Sequence, residues 1–472
     1  MSRRLEPYRE ILGLAAPIAG IQFAQVALTS TDLLMMGLIG IDAIAAGGLA
    51  LLLYNQLRTM GVGTVTGLGN LIAGAVGRGE KRTGTSSPDE ATRDEVRNLL
   101  RAAMLLATIV GVAAGTALIA FGWALPWFGQ PPEVVAIARP VMLALAPGLL
   151  PMLWLNVLRQ FAVGMRRAGS LLGVTIASIA VNAALNATFI YGWIGLPQLG
   201  VAGIGISTTF VQLWSFVVYL RIVRRDPILR DLLALDGWKA DRATVMTIAR
   251  LGGPIALTYG SEAAITSIAT MLVGTFGAAA LAASNVVNQL AYIVYQLNIG
   301  LSQGASILVS RTAGRGRHEE IAALARRTFI ISFGAMTLIG LAYVLAPQAI
   351  LRPFLGENGD AAVSDTARVL LWFAIAHQFL KGSQNLCIGL LRGLGNTRSG
   401  LTSTFIGYWL IGIPAMAACG RGLDWGAPGV WFGLCIGFGA TALLLVWRFG
   451  RDLRSVPQTR YEQAVRAPAA AA

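Results

Sequence analysis

Long apolar runs alternate with short polar stretches along the chain, and the runs have the length of membrane-crossing helices. About 20 residues rising about 1.5 Å each cross a hydrocarbon core. Twelve runs meet that length. In the first half they are Ile11 to Ile39, Ile44 to Val76, Asn98 to Gly122, Val134 to Ala162, Gly169 to Trp193 and Gly203 to Val223. In the second half they are Thr247 to Thr275, Leu281 to Arg311, Arg326 to Ala346, Thr366 to Leu391, Ser399 to Ala418 and Trp425 to Arg448. The expected fold class is therefore all-α, a polytopic protein of 12 transmembrane helices.

The pattern is duplicated. Adding 237 carries Ile11, Leu14, Pro17, Ile18, Gly37, Gly40, Gly67 and Gly77-Arg78-Gly79 onto Ile248, Leu251, Pro254, Ile255, Gly274, Gly277, Gly304 and Gly314-Arg315-Gly316 without a gap. Later spans match at an offset of 225, with Arg101, Gly164 and Arg167 falling on Arg326, Gly389 and Arg392. The dozen residues lost between the two offsets fit the first polar loop, Gly77 to Arg97. Six spans per half make the halves parallel repeats about an axis along the membrane normal, so two pseudo-symmetric six-helix lobes are expected. The boundaries expected are residues 1–225 for the first lobe, 226–246 for a cytoplasmic linker, 247–456 for the second lobe and 457–472 for a flexible tail.

Composition fits this class: 55% of residues are hydrophobic, 13% are charged, and mean hydropathy is +0.64. The net charge of +14 would suggest a nucleic-acid partner in a soluble protein, so its distribution decides its meaning. Of the 37 Lys and Arg, 31 fall on the face of the N-terminus, including Arg159, Arg166 and Arg167. Such a bias is a topology signal that places both termini in the cytoplasm, and the charge needs no nucleic acid to explain it. The opposite face carries Trp123, Trp127, Tyr191, Trp193 and Trp425, an expected aromatic belt. Cys387, Cys419 and Cys435 stand alone in apolar runs and imply neither disulfides nor a metal site.

Ionisable groups inside spans are candidates for function, because burial is costly without a partner or water. Asp32 lies about seven residues, roughly 10 Å, below the outer end of the first span. Asn182 and Asn186 of the fifth span and Thr208 of the sixth lie near that level. A carboxylate ringed by amide and hydroxyl oxygens suits a proton or Na+ site; the alternative is that the amides join helices and Asp32 caps a backbone group. Arg58 sits roughly 10 Å deeper, where lining a wet cavity and coupling to Asp32 both stay open. Glu262 and Lys381 match in depth and are expected to form a buried pair, either a static lock or one in which protonation of Glu262 frees the ammonium. His377, one turn before Lys381, reads as a packing residue.

The eighth span carries Asn285, Asn288, Gln289, Tyr292, Tyr295, Gln296 and Gln303 at helical spacing. That polar, aromatic face suits a water-filled cleft receiving flat organic cations, with Tyr54, Asn55 and Gln56 as its first-half counterpart; helix-helix hydrogen bonding is the competing explanation. Gly61, Gly63 and Gly67 lack the strand and lysine of a phosphate loop, and no HExxH or nucleophile elbow occurs, so an enzyme is not expected.

With these residues in place the chain resembles the multidrug and toxic-compound extrusion (MATE) family. The resemblance rests on Thr31-Asp32 before Met36-Gly37, Ala45-Ala46, Gly77-Arg78-Gly79, Asn182 and Asn186 before Tyr191-Gly192, Glu262, and Leu391-Arg392-Gly393 ahead of Tyr408-Trp409. It implies a central V-shaped cleft and export of cationic amphipathic compounds against protons or Na+, without a cofactor, from a bacterial cytoplasmic membrane, with a monomer expected. It also implies a cation site at Asp32, Asn182 and Asn186, less firmly Thr208, and an ammonium, Lys381, where Na+-coupled members have an acid. Arg58 departs from the family pattern. A lipid or oligosaccharide flippase of related architecture is the rival, and it would need several cationic residues in its cleft.

Overall fold

The computed structural model describes residues 2–192, 198–355 and 361–455. Its helices are α1 (Ser2–Ile39), α2 (Ile41–Thr66), α3 (Leu68–Thr83), α4 (Glu90–Ala124), α5 (Pro132–Leu145), α6 (Leu149–Gly164), α7 (Gly169–Tyr191) and α8 (Val201–Arg225). A short α9 (Pro227–Leu232) leads to α10 (Arg242–Gly274), α11 (Ala278–Gly314), α12 (Glu319–Leu345), α13 (Pro347–Leu355) and α14 (Ala361–Gly393). The chain closes with α15 (Arg398–Thr404), α16 (Ile413–Ala417) and α17 (Gly426–Ser455). The predicted second span is α2 continued by α3 past Gly67, and the fourth is α5 continued by α6 past Ala146–Gly148. The eleventh is α15 and α16 joined and followed by π-helical turns over Phe405–Gly412 and Ala418–Gly422. The fold is thus the all-helical, twelve-span architecture expected of the sequence.

Ten helices among the described residues are long and apolar enough to cross a membrane by length and composition. The two 33-residue helices outside that set, α10 and α14, are those that carry Glu262 and Lys381. The outer surface suits lipid: Leu34, Leu338, Leu345 and Leu443 are all more than two-thirds exposed. Trp123, Trp127, Tyr191 and Trp425 are exposed too, as an aromatic belt requires, whereas Trp193 and the tail from Pro457 lie outside the described residues.

The first polar loop is shorter than the sequence suggests. Helix α3 runs on to Thr83 and ends at Gly84, whose φ of 70° closes it in the left-handed region. Asp89 then caps α4 by accepting from the Thr92 N–H. The extra turns are held by the ion pairs Arg78–Glu95 and Arg82–Asp89. The segment after α8 is likewise built and docked. Asp226 caps α9 and pairs with Arg167; Arg101 Nε donates to Asp236 at 2.8 Å, and Arg97 donates to the Asp231 carbonyl. Leu229 and Leu232 are buried beneath it.

The molecule comprises two compact units. One is Gly20–Ala256; the other joins the helix up to Ala19 to the chain from Leu257 onward. Both divisions fall two residues past the duplicated proline, Pro17 in α1 and Pro254 in α10, each of which removes a mid-helix backbone donor. Within the first unit a Cβ at Gly63 would lie 2.6 Å from Ala256 Cα; within the second, a Cβ at Gly300 would lie 2.6 Å from Ala19 N. The two crossings are the same contact in the two copies, since 237 separates 19 from 256 and 63 from 300. Only glycine permits helix backbones to approach so closely. The first unit has one large apolar core that draws on α2 to α8, while described core residues of the second fall in separate clusters.

Candidate functional site

Helix α1 carries Asp32 into the interior of the first unit, leaving it 3% exposed. On α7 Asn182 and Asn186, one turn apart, point the same way, and both are fully buried. Asn186 Nδ2 donates to Asp32 Oδ1 at 2.9 Å and to Asn182 Oδ1 at 3.0 Å. From α8, Thr208 Oγ1 donates to Asp32 Oδ2 at 3.2 Å. All four residues expected at one level therefore meet. The Asn186 Oδ1 and Asn182 Nδ2 atoms are buried without a hydrogen-bond partner, so the cluster keeps an unused acceptor and donor in addition to the carboxylate. A neutralised Asp32 keeps these contacts without a net charge, and a bound monovalent cation would find hard oxygens on three helices.

Beside Asp32 lies a cavity of about 50 Å³ lined in part by Tyr54, Asn55, Arg58, Asn156, Arg159 and Thr208. It has room for more than one water. Arg58 Nε donates to Asn55 Oδ1 at 3.1 Å, so this arginine lines the same polar space as Asp32. Tyr54, expected in a cargo cleft, is buried here with its hydroxyl unpartnered. Gln56 is half-buried and not among the lining residues.

Arg159 corrects the sequence reading. Counted with the surface cations, it is instead 5% exposed in this cavity, with Nη2 3.4 Å from Gln22 Oε1. Its position near the end of α6 gave its depth and concealed that this side of the helix turns inward. Asn156 was missed as well, although it is the repeat counterpart of Lys381 at an offset of 225; Gln25, the counterpart of Glu262 at an offset of 237, also lines the cavity.

The second unit holds the other charge cluster. Lys381 Nζ on α14 lies 3.2 Å from Glu262 Oε1 on α10, with both side chains about nine-tenths buried. The ammonium also sits 4.2 Å from the centre of the Tyr295 ring and 5.2 Å from that of Phe438. His377 packs edge-on against Trp431 and Phe438. The adjoining cavity, of about 10 Å³, holds one water at most.

Along α11, Asn285, Gln289 and Tyr292 are exposed and Asn288 is half-buried, forming the expected open polar stripe. Gln296 does not belong to it, being 4% exposed. About two turns past Tyr292 the helix reaches Gly300, where α1 crosses at Ala19.

The MatE family model matches residues 17–188 and 254–417. The chain is 32% identical over 469 residues to the probable multidrug resistance protein NorM of Pseudomonas aeruginosa, an alignment spanning 98% of this chain and 93% of that one. The protein of the same name from Rhizobium meliloti is 32% identical over 452 residues, covering 95% and 94%. The fold is also similar to that of the Vibrio cholerae MATE transporter VcmN in its bent form, with a TM-score of 0.82, 16% identity, and 96% and 99% of the two chains covered.

Proposed function

Because the chain belongs to the MatE family of multidrug efflux transporters, we propose that it exports cationic amphipathic compounds in exchange for inward-moving H+ or Na+, with Asp32 as the carboxylate that binds the driving ion. The observation that carries this reading is a buried carboxylate held by neutral donors from two other helices, next to a polar cavity. Neutral donors hold the carboxylate in place without neutralising it, so gain or loss of a proton or cation changes the charge of the cluster and biases helix packing. Asn182, Asn186 and Thr208 complete the ion site. Asn285, Asn288, Gln289 and Tyr292 contact the cargo, and Glu262 with Lys381 neutralises the second lobe.

The cation bias of the loops supports a multi-pass placement in the bacterial cytoplasmic membrane with both termini inside, and we take the working unit to be a monomer. A flippase for pyrophosphate-linked lipids fits less well, because the Asp32 carboxylate shares its cavity with Arg58 and would repel a pyrophosphate. The test is ethidium transport in everted vesicles with proton and sodium gradients imposed separately. One gradient should drive transport, and Asp32→Asn should abolish it at normal expression; wild-type transport by that variant would overturn the assignment.

A further inference from the structure

The docked segment after α8 carries a tryptophan that neither charge cluster uses. Trp238 is 82% exposed, although the residues just before it are firmly held. Asp236 accepts from Arg101 and pairs with Lys239 at 3.3 Å. Gly237 lies so close to α4 that a Cβ there would stand 3.2 Å from the Leu105 nitrogen and 3.4 Å from the Arg101 carbonyl oxygen. The indole is therefore fixed at the outside of α4 and left uncovered.

Its place along α4 identifies the medium around it. Arg101 and Leu105 head a stripe that continues at helical spacing to Ile109 and Val112, each 54% exposed. An apolar stripe left open on a membrane helix faces lipid. From Arg101 and Leu105 to the exposed Trp123 at the far end of α4 is about 20 residues, roughly 30 Å, the thickness of a hydrocarbon core. Trp123 and Trp238 thus bracket the stripe, and Trp238 falls at the headgroup level, where indole rings settle.

The charges nearby are unequally engaged. Asp226 accepts from the Ile228 and Leu229 N–H groups and pairs with Arg167, Asp236 holds Arg101 and Lys239, and Asp241 accepts from the Thr244 N–H at the start of α10. Arg224 and Arg225 in the last turn of α8 and Arg242 at the first residue of α10 are exposed and have no hydrogen bond or ion pair among the described residues. The acids face inward contacts, and the unpaired guanidinium groups are left for an outside anion.

We propose that the segment from Arg224 to Arg242 is a lipid anchor, in which the Trp238 ring enters the headgroup layer and Arg224, Arg225 and Arg242 take the phosphates of anionic phospholipids. The guanidinium fork fits a phosphate, and each such cation near an anionic surface favours binding roughly fivefold. The anchor concerns the bilayer and not the cargo, so it stands whichever ion drives transport.

The test places the full chain in nanodiscs of phosphatidylcholine alone or of an equal mixture with phosphatidylglycerol, at low ionic strength, and follows hydrogen exchange over residues 226–241. Exchange should be about tenfold slower in the mixed discs, and the difference should fade at high salt. Replacing the three arginines together, Arg224→Gln, Arg225→Gln and Arg242→Gln, should remove it. Equal exchange of the wild type in the two kinds of disc overturns the proposal, as does an undiminished lipid effect in the triple variant. If that variant does not fold, Trp238→Phe keeps every charge, and the emission that disappears with Trp238 should be quenched by lipids brominated near the headgroup. Quenching of that emission by acrylamide in the water and not by bromolipid would mark a water-facing surface, one for a soluble protein partner, and overturn the anchor.

Discussion

The Asp32 cluster and the Glu262–Lys381 pair are two ways of keeping an acid inside a membrane helix bundle, built on one repeated scaffold. In the first unit the acid meets neutral amide and hydroxyl donors beside a cavity of about 50 Å³; in the second it meets an ammonium under two aromatic faces, with a cavity of about 10 Å³. The sequence differences responsible are few. Gln25, Arg58 and Asn156 in the first copy become Glu262, Tyr295 and Lys381 in the second. A carboxylate held by neutral groups can exchange its proton or cation, whereas one matched to a resident ammonium has its charge balanced already. Under the proposed mechanism the first unit responds to an external ion, whereas the acid of the second is matched by its own ammonium.

The largest expected effect separates the two sites by function. Asp32→Asn should abolish efflux while the charge-neutral double variant Glu262→Gln with Lys381→Met keeps a measurable part of it, read as ethidium transport in vesicles. Equal loss in both would erase the distinction. Next comes stability: Glu262→Gln or Lys381→Met alone strands a buried charge and should cost about 3–5 kcal/mol, seen as a lower melting temperature in detergent. The double variant should recover most of that loss, and worse-than-additive damage would reject the pairing. Tyr295→Leu removes one ring face from the ammonium and should cost about 0.5–2 kcal/mol by the same assay, with little change if Asp32 is altered instead.

The smallest effect lies outside both sites, in the docked segment after α8. A hydrogen bond from the Arg101 guanidinium holds the Asp236 carboxyl below the usual carboxylate range. A depressed value in the folded state means that this contact contributes fully above the ordinary Asp value of about 4 and is lost as the pH falls through the lower, folded value. Hydrogen exchange of α9 should therefore accelerate on acidification to that range, and Asp236→Asn should show faster exchange already at neutral pH. An exchange rate in Asp236→Asn equal to wild type would show that the contact does not hold the segment.

Depth along a helix was legible in the sequence, and direction around it was not. Counting residues from the span ends brought Asp32, Asn182, Asn186 and Thr208 to one level and matched Glu262 with Lys381, and the structure joins both sets. The same counting left Arg159 on the surface and Gln296 in the open stripe. Lipid and protein core are equally apolar, so hydrophobic pattern does not mark the inward side of a membrane helix as it does in water; Leu33 and Leu34 of α1 face outward although Met36 is fully buried. The repeat carried the missing information. Asn156 pairs with Lys381 at the offset of 225, and following that correspondence onto α6 leads to the cavity wall that contains Arg159. The π-helical turns near Gly407 and Gly412 were also invisible, because they depend on close approach to Thr441 and Gly437 of α17.

The crossing of Ala19 with Gly300 bears on how the protein is made. The opening stretch of α1 leaves the ribosome long before the glycine that receives it has been translated, so it must wait in the bilayer with its packing face unoccupied. Biosynthesis of the first repeat alone would leave that stretch without this partner, and the packing of α1 is complete only once α11 has been made.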